Sequence, residues 1–155
     1  LRSDVERLRL YGRWGCPSGE APANPGQDAN PYAAAVTEQL YRKVLLEAAE
    51  AALAGGLSVV VDATFIKRDQ RQAFLELASR RGTGFGILVC SVPLDLALAR
   101  LHRRMAEEDD PSEADAEVVM AQQDALEPLD EGEKAWMVGG NDVRLRFDPG
   151  ELPIP

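Results

Sequence analysis

The sequence predicts an α/β fold of three layers, with helices covering both faces of a parallel sheet. Two short runs are almost wholly apolar, Leu57-Ser58-Val59-Val60-Val61 and Gly86-Ile87-Leu88-Val89-Cys90. Such runs suit strands buried on both faces. Segments with apolar residues at helical spacing separate and flank them, and alternation of this kind implies a parallel sheet. Chemically capable residues also fall where the strands end. Asp4, Asp62 and the residues after Cys90 lie at carboxyl ends, the side on which open α/β sheets bind ligands.

Each element has its own grounds. Leu1 reads as the tail of an earlier strand, and a helix opens at Arg2, where Ser3 can cap and Glu6 can complete a capping box. Residues 12–30 are rich in Gly and Pro without an apolar period and read as a long surface loop. A helix from about Tyr32 to Leu53 carries Val36, Leu40, Val44, Leu45, Ala48 and Ala52 at helical spacing, and Gly55-Gly56 ends it. Asp62 follows the first apolar run directly. The next helix runs from about Asp69 to Arg81, with Phe74, Leu77 and Ala78 on one face, and stops at Gly82. After the second apolar run, Ser91 and Pro93 begin a helix. Its Leu94, Leu98 and Leu101 are expected to face inward, with Arg100, Arg103 and Arg104 on a neighbouring face. Glu107 to Pro111 breaks it. Ser112 and Asp115 can cap a helix reaching about Leu126, and Val143-Leu145-Phe147 alternates with Arg144 and Arg146 as a late edge strand. No repeat or linker interrupts the chain, so residues 1–155 read as one domain with a surface loop at 12–30 and a lid region at 100–115.

A length of 155 residues suits one domain, and 45% hydrophobic residues can build a core. The formal net charge of −9 repels a phosphodiester backbone and argues against duplex nucleic acid as a partner. A small phosphorylated ligand is still allowed, because a local arginine cluster can override a distant average. No apolar run approaches the roughly 18 residues of a membrane helix, and no signal segment opens the chain. Cys16 and Cys90 are the only cysteines, which fits a reducing cytoplasm better than a disulfide scaffold. The Cys and His spacing gives no zinc site. The single histidine, His102, sits among arginines, a poor setting for a hydrolase base.

Four groups of residues could carry chemistry. Asp62, after three valines, can hold Mg²⁺ through water or orient a substrate; an aspartate there can also simply cap the following turn. Asp4 and Arg7 lie one helical turn apart. The carboxylate could accept a hydroxyl proton and the arginine could grip a phosphate or carboxylate, although acidic residues also favour a first helical turn for its dipole. Arg100, Arg103 and Arg104 form a stripe that could neutralise a transferring phosphoryl group, or a solvated basic face paired with Glu107 and Glu108. Thr64, Arg71 and Gln122 are lesser candidates, and Ser112 to Asp115 reads first as a cap.

The order of these signals carries a resemblance. Ser3-Asp4-x-x-Arg7 is followed by Tyr41, then Ala48, Leu53 and Gly56. Val59-Val60-Val61-Asp62-Ala63-Thr64-Phe65 comes next, then Arg71, Arg100 with Arg103, Ser112-x-Ala114 and Gln122. The succession, over roughly Leu1 to Leu129, resembles the P-loop kinase-like family that includes polynucleotide 5′-kinase domains and zeta-toxin-like kinases. It is similar to the ATP-binding half of bacterial fusions with an aminoglycoside-phosphotransferase-like domain. The resemblance implies a parallel sheet of the P-loop kinase type and ATP- and Mg²⁺-dependent phosphoryl transfer to a hydroxyl of a small molecule or nucleotide. It also implies a fused or associated phosphotransferase-like domain. By that likeness Asp4 is the base, Arg7 the substrate anchor and Asp62 the metal- or substrate-side carboxylate. Arg100, Arg103 and Arg104 supply lid charges, and Thr64 and Arg71 sit near the substrate. One departure is large: no Gly-x-x-x-x-Gly-Lys-Ser/Thr run occurs in the 155 residues, and that run supplies the backbone cradle and lysine for the phosphates. The expectation is that the run precedes Leu1 and that the sheet is incomplete at its start. The alternatives are a degenerate, non-catalytic domain used for binding or assembly, and a different α/β regulatory module.

Overall fold

A computed structural model describes residues 1–10, 32–107 and 116–138. The expected loop at 12–30, Ser112 and the edge strand at Val143–Phe147 lie outside the described residues. The chain divides into two compact units, Leu1–Thr64 with Asp109–Val118, and Phe65–Glu108 with Val119–Pro155.

In the first unit, α1 (Ser3–Leu10) is followed by α2 (Ala34–Gln39), a π-helical turn (Leu40–Leu45) and α3 (Leu46–Ala54). The last three run on without a break. Leu40, Tyr41, Leu45 and Ala49 are buried, and α1 packs against the π-helical turn. α3 ends where the sequence placed its stop. Gly56 adopts φ +77°, which lets the Leu57 amide donate to the Ala52 carbonyl at 3.0 Å. An L side chain would be strained at that angle.

In the second unit, α4 (Arg68–Arg81) and α5 (Leu94–Glu107) precede the short α7 (Glu131–Lys134); α6 is Ala116–Asp124. α4 begins with the Lys67 amide donating to Gln70 Oε1 at 3.2 Å and the Arg68 amide to Glu127 Oε2 at 2.7 Å. It ends at Gly82 with φ +60°, and the Thr83 amide donates to the Ala78 carbonyl at 3.1 Å. Leu77, Ala78 and Leu101 are buried, and Phe65 meets Phe74 edge to face at 5.2 Å. On α5 the expected inward stripe is partial: Leu101 is buried, Leu98 half-buried and Leu94 exposed.

The parallel-sheet expectation is not met. Among the described residues the regular elements are helices, and extended backbone pairs only at two isolated parallel bridges, Arg2 with Asp62 and Ile87 with Met137. Both runs expected as strands take part, but neither builds a ladder. Their side chains are also not enclosed. Leu57 is 63% exposed, Val60 71%, Leu88 45% and Val89 39%, whereas a parallel strand is covered on both faces. An apolar run records a tendency to be buried as a strand. Whether a strand forms depends on neighbours that accept its amides and carbonyls residue after residue, and here each run has one such neighbour at one position.

The strongest polar contact in the second unit is buried. Arg71 Nε and Nη2 donate to Glu133 Oε1 and Oε2 at 2.6 and 3.0 Å, and Arg71 Nη1 donates to the Phe65 carbonyl at 2.9 Å. Phe65 has φ +45°, uncommon for a residue with a large side chain, and the Arg71 bond and the Phe74 ring hold it there. The Arg71 guanidinium, followed by the Asp130 amide, holds the Glu133 carboxyl below the usual glutamate range against the opposing effect of burial. A depressed folded value means the pair stabilises above the unfolded glutamate value and loses that contribution as pH falls through the folded one. Glu133→Ala should therefore cost about 3–5 kcal/mol at neutral pH by leaving Arg71 buried and unmatched. In thermal melts between pH 7 and 3, Glu133→Gln should flatten the acid loss of stability. Part of that loss should remain, because Glu127 and Asp130 are also held low, chiefly by the Arg68 amide and the Glu133 amide respectively.

Candidate functional site

The extended run that ends at Asp62 lies beside the start of α1. The Leu1 nitrogen donates to the Val60 carbonyl at 2.8 Å. The Asp62 amide donates to the Leu1 carbonyl at 2.8 Å, and the Ser3 amide to the Asp62 carbonyl at 2.9 Å. These bonds set Leu1–Ser3 parallel to Val60–Asp62 and start the helix at the carboxyl end of the valine run. Ser3 is itself the first helical residue, one position later than a cap, and the Glu6 carboxylate receives Arg9 instead of completing a box.

Asp4 therefore stands in the first helical turn next to the backbone of Asp62, and it is half-buried. The Asp62 side chain is 71% exposed, with Oδ2 at 3.4 Å from Arg2 Nε. An exposed pair of this kind contributes little to stability. One helical turn beyond Asp4, Arg7 is 7% exposed. Its Nη1 donates to Thr37 Oγ1 at 3.4 Å, and its guanidinium carbon lies 4.7 Å from the centroid of the Tyr32 ring. Thr64, two residues after Asp62, shares a 3.1 Å hydrogen bond between its hydroxyl and that of Tyr41. The first unit thus brings Asp4, Arg7, Asp62 and Thr64 into one neighbourhood built from α1, the helix from Ala34 and the end of the valine run.

The other candidates belong to the second unit. Arg71 makes the buried fork with Glu133 described above. On α5, Arg100 and Arg103 are exposed and Arg104 is half-buried, so the stripe read from the sequence exists as a helical surface. Gln122 is half-buried on α6. Among the described residues no group of three or more His, Cys, Asp or Glu is placed to hold a metal ion.

Sequence reading did not single out Glu133, Glu127 or Asp130. A signal for two of them was present: Asp130-x-x-Glu133 is a capping-box spacing, and the structure forms it, with Glu133 N donating to Asp130 Oδ1 at 2.8 Å and Asp130 N to Glu133 Oε2 at 3.1 Å. Nothing in the sequence pairs Glu133 with Arg71, 62 residues away.

With this geometry in place, comparison with known families is informative. A family model described as an AAA domain matches residues 1–129. The chain belongs to this AAA domain family. The match spans all the first-unit candidates and α4 to α6, and it places the chain among P-loop NTPase-like proteins, whose shared function is nucleotide binding. No curated protein and no solved structure matches the chain. No helix of the described residues is long and apolar enough to cross a membrane.

In this AAA domain the Arg7–Tyr32 stack can be measured directly. A cation over an aromatic face contributes about 0.5–2 kcal/mol, more as it is desolvated. In denaturant unfolding, Arg7→Ala and Tyr32→Leu should each destabilise. The double variant should be less destabilised than the sum by about that amount. Strict additivity would show that the ring and the guanidinium do not support each other.

Proposed function

We infer that the intact protein transfers a phosphoryl group from ATP to a hydroxyl of a small molecule or nucleotide. The observation that carries this reading is the pairing of Leu1–Ser3 with Val60–Asp62, which sets two carboxylate-bearing positions, Asp4 and Asp62, at one carboxyl end within an AAA domain. Membership of a nucleotide-binding family supports the donor, and the order of the residues supports the acceptor chemistry.

The roles follow from where each group stands. Asp4 is the general base: as the substrate O–H bond breaks, an Asp4 carboxylate oxygen takes the proton. A P–O bond forms to the substrate oxygen, and the bond to the leaving diphosphate breaks. Arg7, on the same helical face, anchors an anionic group of the substrate. Asp62 suits a water-mediated Mg²⁺ contact. Mg²⁺ keeps most of its waters and takes only one or two carboxylates, and this single carboxylate is well exposed. Bound MgATP would supply the phosphoryl group and the cationic charge that offsets its oxygens. Arg100, Arg103 and Arg104 serve as lid charges, and Thr64 contacts the substrate side. A fused or associated phosphotransferase-like domain is the partner this reading proposes.

Two measurements test it. The 155 residues contain no Gly-x-x-x-x-Gly-Lys-Ser/Thr run, so by themselves they should bind MgATP weakly or not at all in calorimetric titration; micromolar affinity would show that other residues replace the loop. In the full-length protein, Asp4→Asn should lower turnover by roughly 10²- to 10⁴-fold with little change in melting temperature. Asp62→Asn should also lower turnover strongly, and Arg7→Ala should act mainly on the Michaelis constant. Asp4→Asn at the wild-type rate would remove the general base and, with it, this assignment.

A further inference from the structure

Tyr41 sits in a part of the molecule that its local sequence does not require to be unusual. Residues 40–45 read Leu-Tyr-Arg-Lys-Val-Leu, with no Gly or Pro, yet they form a π-helical turn inside an otherwise α-helical segment. Such turns are rare and recur at functional sites. Leu40 and Leu45, the first and last residues of the turn, are both fully buried. In a plain α-helix, positions five apart face in clearly different directions. The wide turn therefore seats two leucines on one side and leaves Tyr41 beside them, 3% exposed. From that buried base the Tyr41 hydroxyl reaches the Thr64 hydroxyl at 3.1 Å. Thr64 is exposed and lies two residues beyond Asp62.

We propose that Tyr41 is a positioning residue for the reaction: held by the π-helical turn, it fixes Thr64 and so the Asp62–Thr64 segment that faces the first turn of α1. The proposal rests on the kinase reading for its functional meaning. Its structural basis is independent of that reading. The Asp62 backbone is tied on one side to Leu1 and Ser3, and Thr64 is tied on the other to Tyr41. Between these two ties the backbone that carries the Asp62 carboxylate is held, although most of the side chain is in solvent. An exposed carboxylate that must meet a metal or substrate needs such a fixed backbone, because small displacements of a positioning group lower turnover steeply. Tyr41 does not touch the reacting atoms in this scheme and acts through Thr64.

The test uses the full-length protein with Tyr41→Phe, Thr64→Val and the double variant, and Leu77→Val on α4 as a control for packing loss away from the turn. Tyr41→Phe is expected to lower kcat about tenfold, the scale of one lost hydrogen bond, with the KM for ATP within about twofold of wild type. The double variant should be no slower than the slower single variant, because the two hydroxyls act as one unit. Leu77→Val should lower the melting temperature without lowering kcat. An unchanged kcat in Tyr41→Phe overturns the proposal. If the wild-type protein shows no MgATP-dependent transfer, the kinase reading fails by itself, and hydrogen exchange then decides on Tyr41. Tyr41→Phe should speed exchange at the Asp62 and Ser3 amides about tenfold relative to the core amides of α4, and unchanged exchange there overturns the proposal.

Discussion

The Ser3 amide donates to the Asp62 carbonyl, and most of the site's arrangement follows from that bond and its neighbour between Asp62 and Leu1. The first amides of a helix have no partner within it. Here the end of the valine run supplies one, so a single backbone contact both satisfies the helix start and fixes what stands opposite Asp62. Asp4 comes next in the chain, and Arg7 comes one turn later by helical geometry. Side chains along the run could change without moving these groups, provided the carbonyl of residue 62 still meets the amide of residue 3. The candidate residues are few and dispersed in sequence, but their relative placement depends on very little.

Helix ends were the most legible part of the sequence, because they depend on local chemistry. Gly56 and Gly82 stop their helices through positive φ angles that glycine allows at no steric cost. The helix from Ala34 to Ala54 and the one from Arg68 to Arg81 lie within two residues of their expected limits. The strands were over-read for the opposite reason. Val59-Val60-Val61 has the composition of a buried strand, but a ladder is made by partners, and partners are not encoded in the run. Asp62 and the first turn of α1 were expected at the carboxyl ends of strands; the described residues form no strand there, and a single bridge between Arg2 and Asp62 brings the two together. The π-helical turn left no trace in the apolar period. Leu40 and Leu45 were both counted at helical spacing, although positions five apart face differently in an α-helix, and their common burial becomes intelligible once the wide turn is seen.

Five arginines entered as candidates of one chemical type, and their surroundings separate them. Arg71 has a bidentate carboxylate and a carbonyl for its donors and is almost fully enclosed. Removing water from such a charge is costly, and a close, hydrogen-bonded partner offsets that cost. Its geometry therefore accounts for its presence without any ligand: it clamps α7 to the turn at Phe65. Arg7 is equally enclosed but meets an aromatic face and a hydroxyl, neither of which carries a formal negative charge. Arg100 and Arg103 are exposed on α5, where water screens their charge.

That ordering bears on how an acidic chain could receive a polyanion. With a net charge of −9, the average field opposes a nucleotide, so attraction has to come from cations whose charge is not already matched at short range. Arg71 contributes little to that attraction, since Glu133 cancels its charge within hydrogen-bond distance. Arg7 is held against a ring face and a hydroxyl, and its burial limits how far salt can screen it. Arg100 and Arg103 lie in solvent, where any attraction between charges depends strongly on salt. Nucleotide binding that weakens steeply with salt would point to exposed arginines, and binding that persists at high salt would point to buried ones. The same residue type thus stands in three settings in one chain, which burial and the neighbouring groups distinguish.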